Sequence, residues 1–428
     1  MLVTLPIVFV VTILLGVPVA FCLGLSGVAF ILVSEHMPFN ILPTLMFGGI
    51  DSFPLMAIPF FIMAGDLMTR CGVLPRLVDL ADSIIGHLKG GLAYVNILAS
   101  MFFAGVTGVA VADTAAIGSM LVPSMIKQGY TRAFSAVVTA SSSIMGPIIP
   151  PSVAMLIYAY VYGGGISVAK LFLLGAVPGC IIGFGMMGLV YVMSFKGRFP
   201  VSSSGFSFRS MAKRTIAAIP GLMVPIIILG GIIGGVFTPT EAGAVAVTYA
   251  LIIGVFLTRK LGLRDIAQCF LVSCKTSAIV FMLLATAKVV SWILTTHQVP
   301  QMVAQSFLQY TSSPQVFLVL SIVFLLLIGF VLEAVATMIM LIPVFGPVAQ
   351  AFGVEPHHFG LLMVMTVQVA LITPPVALGL FIVCPIAKCS IEEAARGIWP
   401  FLLLVFGVIL LVAFWPGVTA WLPRLFGY

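Results

Sequence analysis

Long apolar segments, each interrupted by proline, glycine or serine, make up most of the chain. The most prominent interruption is the stretch 141–152, which combines three consecutive serines with three prolines. A helix needs about 20 apolar residues to cross a bilayer, and each proline removes a backbone donor and clashes with the preceding turn. The apolar arms 131–145 and 152–162 are each too short to cross alone. The pattern therefore predicts a re-entrant hairpin over 131–162, in which two half-helices meet at a broken tip.

A second stretch of the same kind, 369–376, lies in the other half of the chain and contains a double proline. It predicts a second hairpin over 357–388. Irregular backbone at membrane depth is tolerated only where protein buries it or where it lines a wet cavity. Matching broken segments in the two halves of a membrane protein point to a transport site.

The remaining pattern predicts further membrane segments. Continuous spans are expected at 2–33, 41–66, 168–195, 216–236, 241–257, 276–296 and 395–422. Apolar and polar residues alternate with helical period over 74–88, and a similar short piece covers 300–308, so both are predicted to be interfacial helices. The residues Thr-Pro-Thr-Glu at 238–241 predict a capping box in which Glu241 reaches back to the helix start.

Two segments, 91–126 and 314–350, are apolar but interrupted by glycine, and each carries a carboxylate. We expect broken spans here, with Asp113 in the first and Glu333 in the second. Charges at membrane depth cost at least about 2.5–3.5 kcal/mol on insertion scales, so they tend to be functional. Two roles are open for each carboxylate: capping the half-helix that follows it, where negative charge is favoured, or binding an ion.

Prolines and carboxylates recur in the same order in the two halves of the chain. Asp113 precedes Pro123 by ten residues and Glu333 precedes Pro343 by ten residues, so we expect a carboxylate in the same place of each repeat. The double prolines 150–151 and 374–375, for example, are separated by 224 residues. We therefore expect a first repeat at 1–195, a basic linker at 196–214 and a second repeat at 215–428. Each repeat would hold a broken span and a re-entrant hairpin in an all-α polytopic membrane protein. Transporters commonly relate such repeats by inversion, with binding sites near the midplane.

Composition assigns the chain to a membrane. Of its 428 residues 61% are hydrophobic and 7% charged, and the mean hydropathy is +1.27, against about 25% charged residues in soluble proteins. The formal net charge is +7, and basic residues crowd the linker 196–214 and the stretch 259–264. Such clusters mark cytoplasmic loops, so we expect the linker to face the cytoplasm and we expect no nucleic-acid partner.

The broken segments supply oxygen atoms of the kind that hard cations prefer. Carbonyl groups freed at 105–108 and 329–332, together with the hydroxyls of 141–143 and Thr373, are suited to Na⁺. The free N–H groups and half-helix N-termini at the tips would suit an anionic substrate.

Lys288 is a lone cation in the apolar run 285–289. Its side chain could reach the membrane surface or pair with a buried carboxylate, and both alternatives are open. The sequence contains neither HExxH nor DDxxD, and its five histidines mostly lie at segment ends. We therefore do not expect an enzyme, and two occluding hairpins favour alternating access over a passive channel.

Several motifs resemble the large membrane subunit of tripartite ATP-independent periplasmic (TRAP) transporters. They are SFPLMAIPFFIMAG at 52–65, ADTAAIG at 112–118, PIIPPS at 147–152, FTPTEAGA at 237–244, HFG at 358–360 and LITPP at 371–375. These motifs extend over almost the whole chain in the expected order. The resemblance is therefore specific.

The resemblance implies a multi-pass secondary transporter subunit in the inner membrane of a Gram-negative bacterium. It would work with a small membrane subunit of about four helices and a periplasmic substrate-binding protein. Such systems import small carboxylates, including C4-dicarboxylates, keto acids and sialic acid, and use a Na⁺ gradient as the coupling force. The family's fold is of the elevator type, in which a part holding both hairpins and both broken spans moves against a scaffold.

The family's ion and substrate sites fall on the broken spans and hairpin tips. In this chain they correspond to Gly105, Thr107, Gly108, Asp113, Ser141, Ser142, Ser143, Gly146, Pro150, Gly329, Glu333, Gln368, Thr373 and Pro374. The expected Na⁺ ligands among them are Gly105, Gly108, Ser142, Gly329, Glu333 and Thr373. An alternative is a stand-alone divalent-anion/Na⁺ symporter, which would share the hairpins and the repeat but need no binding protein.

Overall fold

The computed structural model describes residues 2–34, 38–196, 199–200, 207–311, 313–374 and 377–428. These residues form helices and connecting loops, without a β-strand among them. The helices are α1 (Thr4–Leu14), α2 (Val19–Val33), α3 (Ile41–Gly48), α4 (Ala57–Arg70), α5 (Val73–Ile85), α6 (Gly91–Thr107), α7 (Ala110–Lys127), α8 (Arg132–Ser143), α9 (Val153–Tyr162), α10 (Val168–Lys196), α11 (Phe208–Ile233), α12 (Pro239–Ile252), α13 (Leu263–Thr296), α14 (Val299–Tyr310), α15 (Pro314–Gly329), α16 (Ala334–Ala351), α17 (Pro356–Ala370), α18 (Leu378–Ala387), α19 (Ile391–Phe414) and α20 (Gly417–Leu425). Much of the linker, residues 201–206, and Pro375 of the second double proline lie outside the described residues.

Seven of the described helical segments are long and apolar enough to cross a membrane. They are Phe53–Arg70, Val168–Phe195, Phe208–Ile233, Pro239–Leu257, Leu263–Thr296, Ala334–Ala351 and Ile391–Phe414. Five of them match spans expected from the sequence. The two exceptions are Phe53–Arg70 and Ala334–Ala351. The chain is therefore an all-helical, multi-pass membrane protein, because so many apolar helices have no other environment in which to bury their surface.

The N-terminal part differs from the single kinked span expected over 2–33. Helices α1 and α2 are separate, and Pro18 is the N-cap of α2. Leu5 near the start of α1 joins one apolar cluster with Phe30 and Ile31 at the end of α2, so the two helices fold back on each other. With 11 and 15 residues, each is shorter than the roughly 20 residues that a crossing requires. The expectation of one span was therefore wrong.

Other local expectations agree with the structure more closely. The amphipathic stretch forms α5, whose apolar side packs on α6 and α11, and the short second piece forms α14. Thr238 and Glu241 make the expected capping box at the start of α12. The continuous span expected at 41–66, by contrast, is interrupted, because α3 ends at Gly48 and a 3₁₀ turn at Phe53–Met56 precedes α4.

The two segments predicted to be broken spans are instead helical hairpins. Asn96 in α6 lies 3.6 Å from the sulfur of Met125 in α7, whereas 29 residues of continuous helix would separate them by about 43 Å. In the second half, Phe317 of α15 stacks on Phe352, which directly follows α16, at a centroid distance of 4.8 Å. Helices α6–α7 and α15–α16 are therefore antiparallel pairs that reverse direction at 108–109 and 330–333.

Backbone conformation explains the first reversal. Gly108 adopts the left-handed conformation with φ of 65°, and Val109 is extended with ψ of 117° before α7 begins. This combination ends a helix and turns the chain sharply, and glycine adopts it without the steric cost that other residues meet.

The segments predicted to be hairpins, 131–162 and 357–388, are in turn the broken spans. Helix α10 follows α9, and its N-terminal neighbour Ser167 donates its backbone N–H to His357 at 3.0 Å. Beyond the other end of α10, Phe199 packs edge-on against Phe134 at the start of α8, with centroids 5.0 Å apart. Because α10 has 29 residues and is about 43 Å long, α8 begins and α9 ends at opposite ends of the molecule. The chain 132–162 therefore runs through the bundle.

The two broken spans run antiparallel side by side. Arg132 at the start of α8 donates to the carbonyl of Lys388 after α18 at 3.1 Å, and Tyr158 of α9 donates to the carbonyl of Pro356 at the start of α17 at 2.7 Å. Helix α8 thus pairs with α18 and α9 pairs with α17. The sequence located both breaks correctly but exchanged the hairpins and the broken spans.

Candidate functional site

The two broken spans meet at their breaks. We name residues 144–152 the first tip and residues 371–377 the second tip, of which 375–376 lie outside the described residues. A small cavity between them is lined by Ile144 of the first tip, by Leu371 and Ile372 of the second, and by the first turns of α7 and α18. Since α8 and α9 are similar in length, the first tip lies about half-way through the bundle.

Ser152 holds the first tip in shape. Its hydroxyl donates to the carbonyl of Pro147 at 2.5 Å and accepts from the backbone N–H of Met155 at 3.2 Å. One side chain therefore closes the loop and caps the start of α9. Ser152 ends the PIIPPS motif but is not among the site residues predicted from the sequence, although a serine directly before an apolar helix signals an N-cap.

Asp113 in the first turn of α7 is the buried charge of the site. Its side chain has no solvent exposure, and Oδ1 accepts a hydrogen bond from the Thr107 hydroxyl at the end of α6. Its other oxygen, Oδ2, is buried without a partner among the described residues. A β-carbon at Gly146 of the first tip would collide with Oδ2. A carboxylate oxygen with an unmet acceptor capacity therefore faces the first tip.

A polar network joins helix α6, in the α6–α7 hairpin, to α8. The Asn96 amide donates to the Thr139 hydroxyl at 2.8 Å and accepts from the Ser142 hydroxyl at 3.2 Å. The hydroxyls of Ser100 and Ser142 are 2.8 Å apart. Sequence reasoning missed Asn96, Ser100 and Thr139, although polar residues one turn apart in an apolar helix were a usable signal.

The other predicted residues of the first half surround the same tip. A β-carbon on Gly105 would lie 3.5 Å from the Pro150 carbonyl, and one on Gly108 would lie 2.6 Å from the Pro151 carbonyl. The Ser143 hydroxyl donates back to the Thr139 carbonyl at 2.7 Å, and the Ser141 hydroxyl is buried without a partner among the described residues. The structure therefore brings together Gly105, Thr107, Gly108, Asp113, Ser141, Ser142, Ser143, Gly146 and Pro150.

The predicted residues of the second half gather around the second tip. A β-carbon on Gly329 would lie 2.5 Å from that of Ala370, so the α15–α16 hairpin touches the end of α17. The Thr373 hydroxyl donates to the Val369 carbonyl at 2.7 Å, and Pro374 follows in the same turn. The side-chain amide oxygen Oε1 of Gln368 is buried without a partner in the part of the chain that the structure describes.

Glu333 does not lie at the position in its helix that the sequence predicted. It is the N-cap of α16, and its Oε2 accepts from the backbone N–H groups of Val335 at 2.9 Å and Ala336 at 3.2 Å. Asp113, by contrast, is the fourth residue of α7. Counted from the start of its helix, Asp113 therefore lies one turn further along than Glu333. The expectation that the two carboxylates occupy the same place in each repeat was wrong. Glu333 is also exposed, whereas Asp113 is buried.

Charge and ligand types limit what the site can bind. The described residues contain no group of three His, Cys, Asp or Glu side chains that could hold a metal ion. The tips instead combine carbonyls, hydroxyls and single carboxylate oxygens, which are ligands for hard cations. Lys288 is exposed and forms no ion pair with any described residue, so the alternative of a buried carboxylate partner finds no support there.

The chain is similar to known transporter subunits over nearly its whole length. The family described as the DctM component of the tripartite ATP-independent periplasmic transporter matches residues 6–418. The sialic acid TRAP transporter large permease SiaM of Vibrio cholerae is 36% identical over 417 residues, which cover 96% of each protein. The C4-dicarboxylate TRAP large permease DctM of Pseudomonas aeruginosa is 35% identical over 405 residues, 95% of this chain and 94% of that one.

A longer relative carries further sequence. The isethionate TRAP transporter permease DctMQ of Oleidesulfovibrio alaskensis is 37% identical over 410 residues, which are 96% of this chain but 64% of that protein. This chain therefore spans slightly less than two thirds of that relative.

Two solved transporters share the fold at low sequence identity. The YdaH transporter of Alcanivorax borkumensis matches with a TM-score of 0.59 at 15% identity, over 88% of each chain. MtrF of Neisseria gonorrhoeae, described as one of a class of antimetabolite efflux pumps, matches with a TM-score of 0.59 at 12% identity, over 87% of this chain and 82% of that one. The family match and the full-length relatives together show that this chain belongs to the DctM component family of tripartite ATP-independent periplasmic transporters.

Proposed function

We propose that the protein is the large membrane subunit of an importer that carries a small carboxylate into the cell by Na⁺ symport. Its partners would be a small membrane subunit of about four helices and a periplasmic substrate-binding protein, and its location the bacterial inner membrane. Relatives named for sialic acid and C4-dicarboxylates support the substrate class. The relative named DctMQ supports the small subunit, because it joins both permease names in one protein.

One observation carries the proposal for the site: Asp113 presents a buried, unpartnered carboxylate oxygen to the first tip. A buried charge without a partner is costly, and a bound cation would remove that cost. We assign Na⁺ to oxygens around both tips, with Asp113 joining Gly105, Gly108 and Ser142 on one side and Gly329, Glu333 and Thr373 on the other. The substrate carboxylate would meet the helix N-termini at the tips.

Helix positions support an inverted repeat. The helix pairs α6 and α15, α7 and α16, and α8 and α17 each begin 223 or 224 residues apart. Each helix can be replaced by its counterpart in the other half, including α9 by α18 and α10 by α19. The contact between α8 and α18 then becomes the contact between α17 and α9, which the structure also contains. We assign an elevator mechanism in which helices α6–α10 and α15–α19 move as one body against α4, α11, α12 and α13.

Uptake into proteoliposomes tests the proposal. The protein and its small partner would be reconstituted, and uptake of labelled succinate and sialic acid measured with and without a Na⁺ gradient and a binding protein. We expect uptake that needs both the gradient and the binding protein. Uptake that needs Na⁺ but no binding protein would instead support the stand-alone symporter.

A single substitution connects this test to the site. Asp113→Asn keeps the volume and one oxygen but removes the charge, so Na⁺-driven uptake should be lost. Asp265→Asn is the matched control, because the partly buried Asp265 caps the start of α13 outside both tips. Equal loss in both variants, or no loss in either, would contradict the assigned Na⁺ site.

A further inference from the structure

Lys288 belongs to a second polar cavity, separate from the tips. The cavity has a volume of about 220 Å³ and lies where the end of α3, α9, α13 and α16 meet. Lys288 and Ser291 of α13 face it together with Tyr160 of α9. Because Lys288 and Ser291 are three residues apart, they lie on the same side of their helix. The rest of the lining is largely apolar.

The chemistry of this cavity suits an organic anion. The ammonium group of Lys288 offers three donors and has no ion-pair partner among the described residues. The Tyr160 hydroxyl is already committed, since it donates to the Gly49 carbonyl at 2.9 Å. Asp51, two residues after Gly49, lies within electrostatic range of Tyr160, and Glu355 lies at the same end of the molecule beside Tyr162, yet neither forms an ion pair with Lys288. Lys288 is therefore a cation without an ion-pair partner among the described residues, beside a largely apolar wall.

The cavity lies outside the tips along the axis of the bundle. Tyr160 follows the tip residue Ser152 by eight residues of helix, a rise of about 12 Å. It lies toward the end of the molecule where α9 ends and α10 begins. The opposite end carries Arg132 and the start of α11, and it adjoins the basic linker expected in the cytoplasm. An anion arriving from the periplasm would thus reach Lys288 before either tip.

We propose that this cavity is a capture site, in which Lys288 and Ser291 bind the carboxylate of the incoming substrate before it passes to the tips. The inference rests on the proposed function for the direction and class of substrate. It adds a cation-lined site on α13, which lies outside the tips and outside the broken spans.

Charge-removing and charge-keeping variants test the capture site. Lys288→Gln should raise the KM for uptake about 10–100-fold, the usual effect of losing a charge-assisted hydrogen bond, and should leave kcat within about twofold. Lys288→Arg should retain most of the wild-type KM. Lys275→Gln is the matched control, because Lys275 is also exposed on α13 but lies thirteen residues, about 20 Å, toward the basic end.

A cysteine variant keeps the test decisive if Lys288→Gln folds poorly. Lys288→Cys would be made in a background without the exposed Cys180 and Cys274. Treatment with aminoethyl methanethiosulfonate restores a positive charge and should restore uptake, whereas the sulfonatoethyl reagent adds a negative charge and should not. Succinate or sialic acid, whichever the wild type transports, should slow both reactions.

The outcomes separate the two proposals. Normal wild-type uptake with an unchanged KM in Lys288→Gln, or equal effects of both reagents, would overturn the capture site and leave the proposed function intact. Absence of any Na⁺-driven carboxylate uptake by the wild type would overturn both. Slower uptake through a lower kcat alone, with KM unchanged, would also overturn the capture site.

Discussion

The two tips have the same arrangement of helices around them but different side chains. Around the first tip, Asp113 is buried, and Asn96 and Ser142 belong to one connected network. Around the second tip, Glu333 is exposed and occupied with capping α16, while the buried oxygen of Gln368 has no partner among the described residues. Each tip is contacted by one hairpin and lies at the break of one crossing helix.

This difference predicts that the two halves contribute unequally to the proposed ion binding. A buried carboxylate oxygen without a partner among the described residues is costly, so a bound cation would stabilise it. A carboxylate that already accepts backbone N–H groups at a helix start is stabilised without a cation. We therefore expect the first tip to be the stronger ion site.

The largest expected effect separates the two carboxylates. Asp113→Asn should weaken the apparent Na⁺ affinity by about 10–100-fold or abolish uptake. Glu333→Gln should shift it by less than about threefold, because the amide oxygen can still accept from Val335 and Ala336. The measurement is uptake as a function of Na⁺ concentration. Equal shifts in the two variants would show that both halves hold ions equally.

The reversal of the first hairpin provides the next test. Gly108→Ala places a residue in left-handed backbone, costing about 1–2 kcal/mol, and brings its β-carbon to 2.6 Å from the Pro151 carbonyl. We expect destabilisation of about 2–5 kcal/mol, measured by thermal unfolding in detergent.

Gly235→Ala isolates the backbone part of that effect. Gly235 has a similar φ of 68° but no atom within 4 Å of an added β-carbon. The Gly235→Ala variant should therefore lose about 1–2 kcal/mol of stability. Similar losses in both variants would mean that Gly108 does not pack tightly against the first tip.

The polar network of the first half predicts a smaller effect. Asn96→Ala removes the partner of Thr139 and Ser142 and should destabilise the protein by about 1–3 kcal/mol. Ser321→Ala in α15 is the control from the second half, because the Ser321 hydroxyl is buried without a partner among the described residues. It should change stability by less than about 0.5 kcal/mol. A larger loss in Ser321→Ala than in Asn96→Ala would contradict the network.

The smallest effect concerns how the two broken spans begin. Thr131 caps α8 through a neutral hydroxyl, whereas Glu355 caps α17 and is also bonded to His357 at 2.6 Å and Lys170 at 3.1 Å. Burial would raise the pKa of Glu355, but hydrogen bonds from His357, the His358 backbone and Lys170 outweigh it and lower the pKa to about 2.

A carboxyl with a lowered pKa stabilises the fold above its ordinary pKa of 4.5, and this contribution disappears as the pH falls toward 2. Glu355→Gln should therefore lower the Tm at pH 7, and the difference from wild type should shrink as the pH drops from 5 to about 2. Because Glu355 is exposed, we expect less than about 1 kcal/mol. Thr131→Ala should show a difference that does not vary with pH over that interval.

Much of the secondary structure could be predicted from the sequence. The breaks at 108 and 144–152, the capping box at Thr238 and the amphipathic helix α5 all depend on local residue chemistry, which proline, glycine and capping residues make visible. The single span expected over 2–33 was wrong, because the fold-back of α1 on α2 depends on packing against Val289 and Ile293 of a distant helix.

The sequence predicted which residues gather at the first tip but not how each is bonded, and their role in binding stays a prediction. The nine residues named from the first half surround one tip, because tips and glycine breaks mark non-helical backbone. The sequence missed Asn96 and Thr139, since their role depends on a contact across 43 residues. It also equated Glu333 with Asp113, because spacing to a proline cannot tell an N-cap from a residue one turn inside a helix.

The sequence by itself determined a multi-pass, all-helical membrane protein and the places where its helices break, because apolar length, proline and glycine act locally. Only the tertiary structure decided which breaks reverse the chain and which let it continue. A glycine in left-handed backbone and a proline-rich turn both end a helix, but the direction of the next helix is chosen by the partner that buries it. Here α7 packs back on α6, whereas α9 leaves α8 and packs on α17, and this choice brings the two tips together.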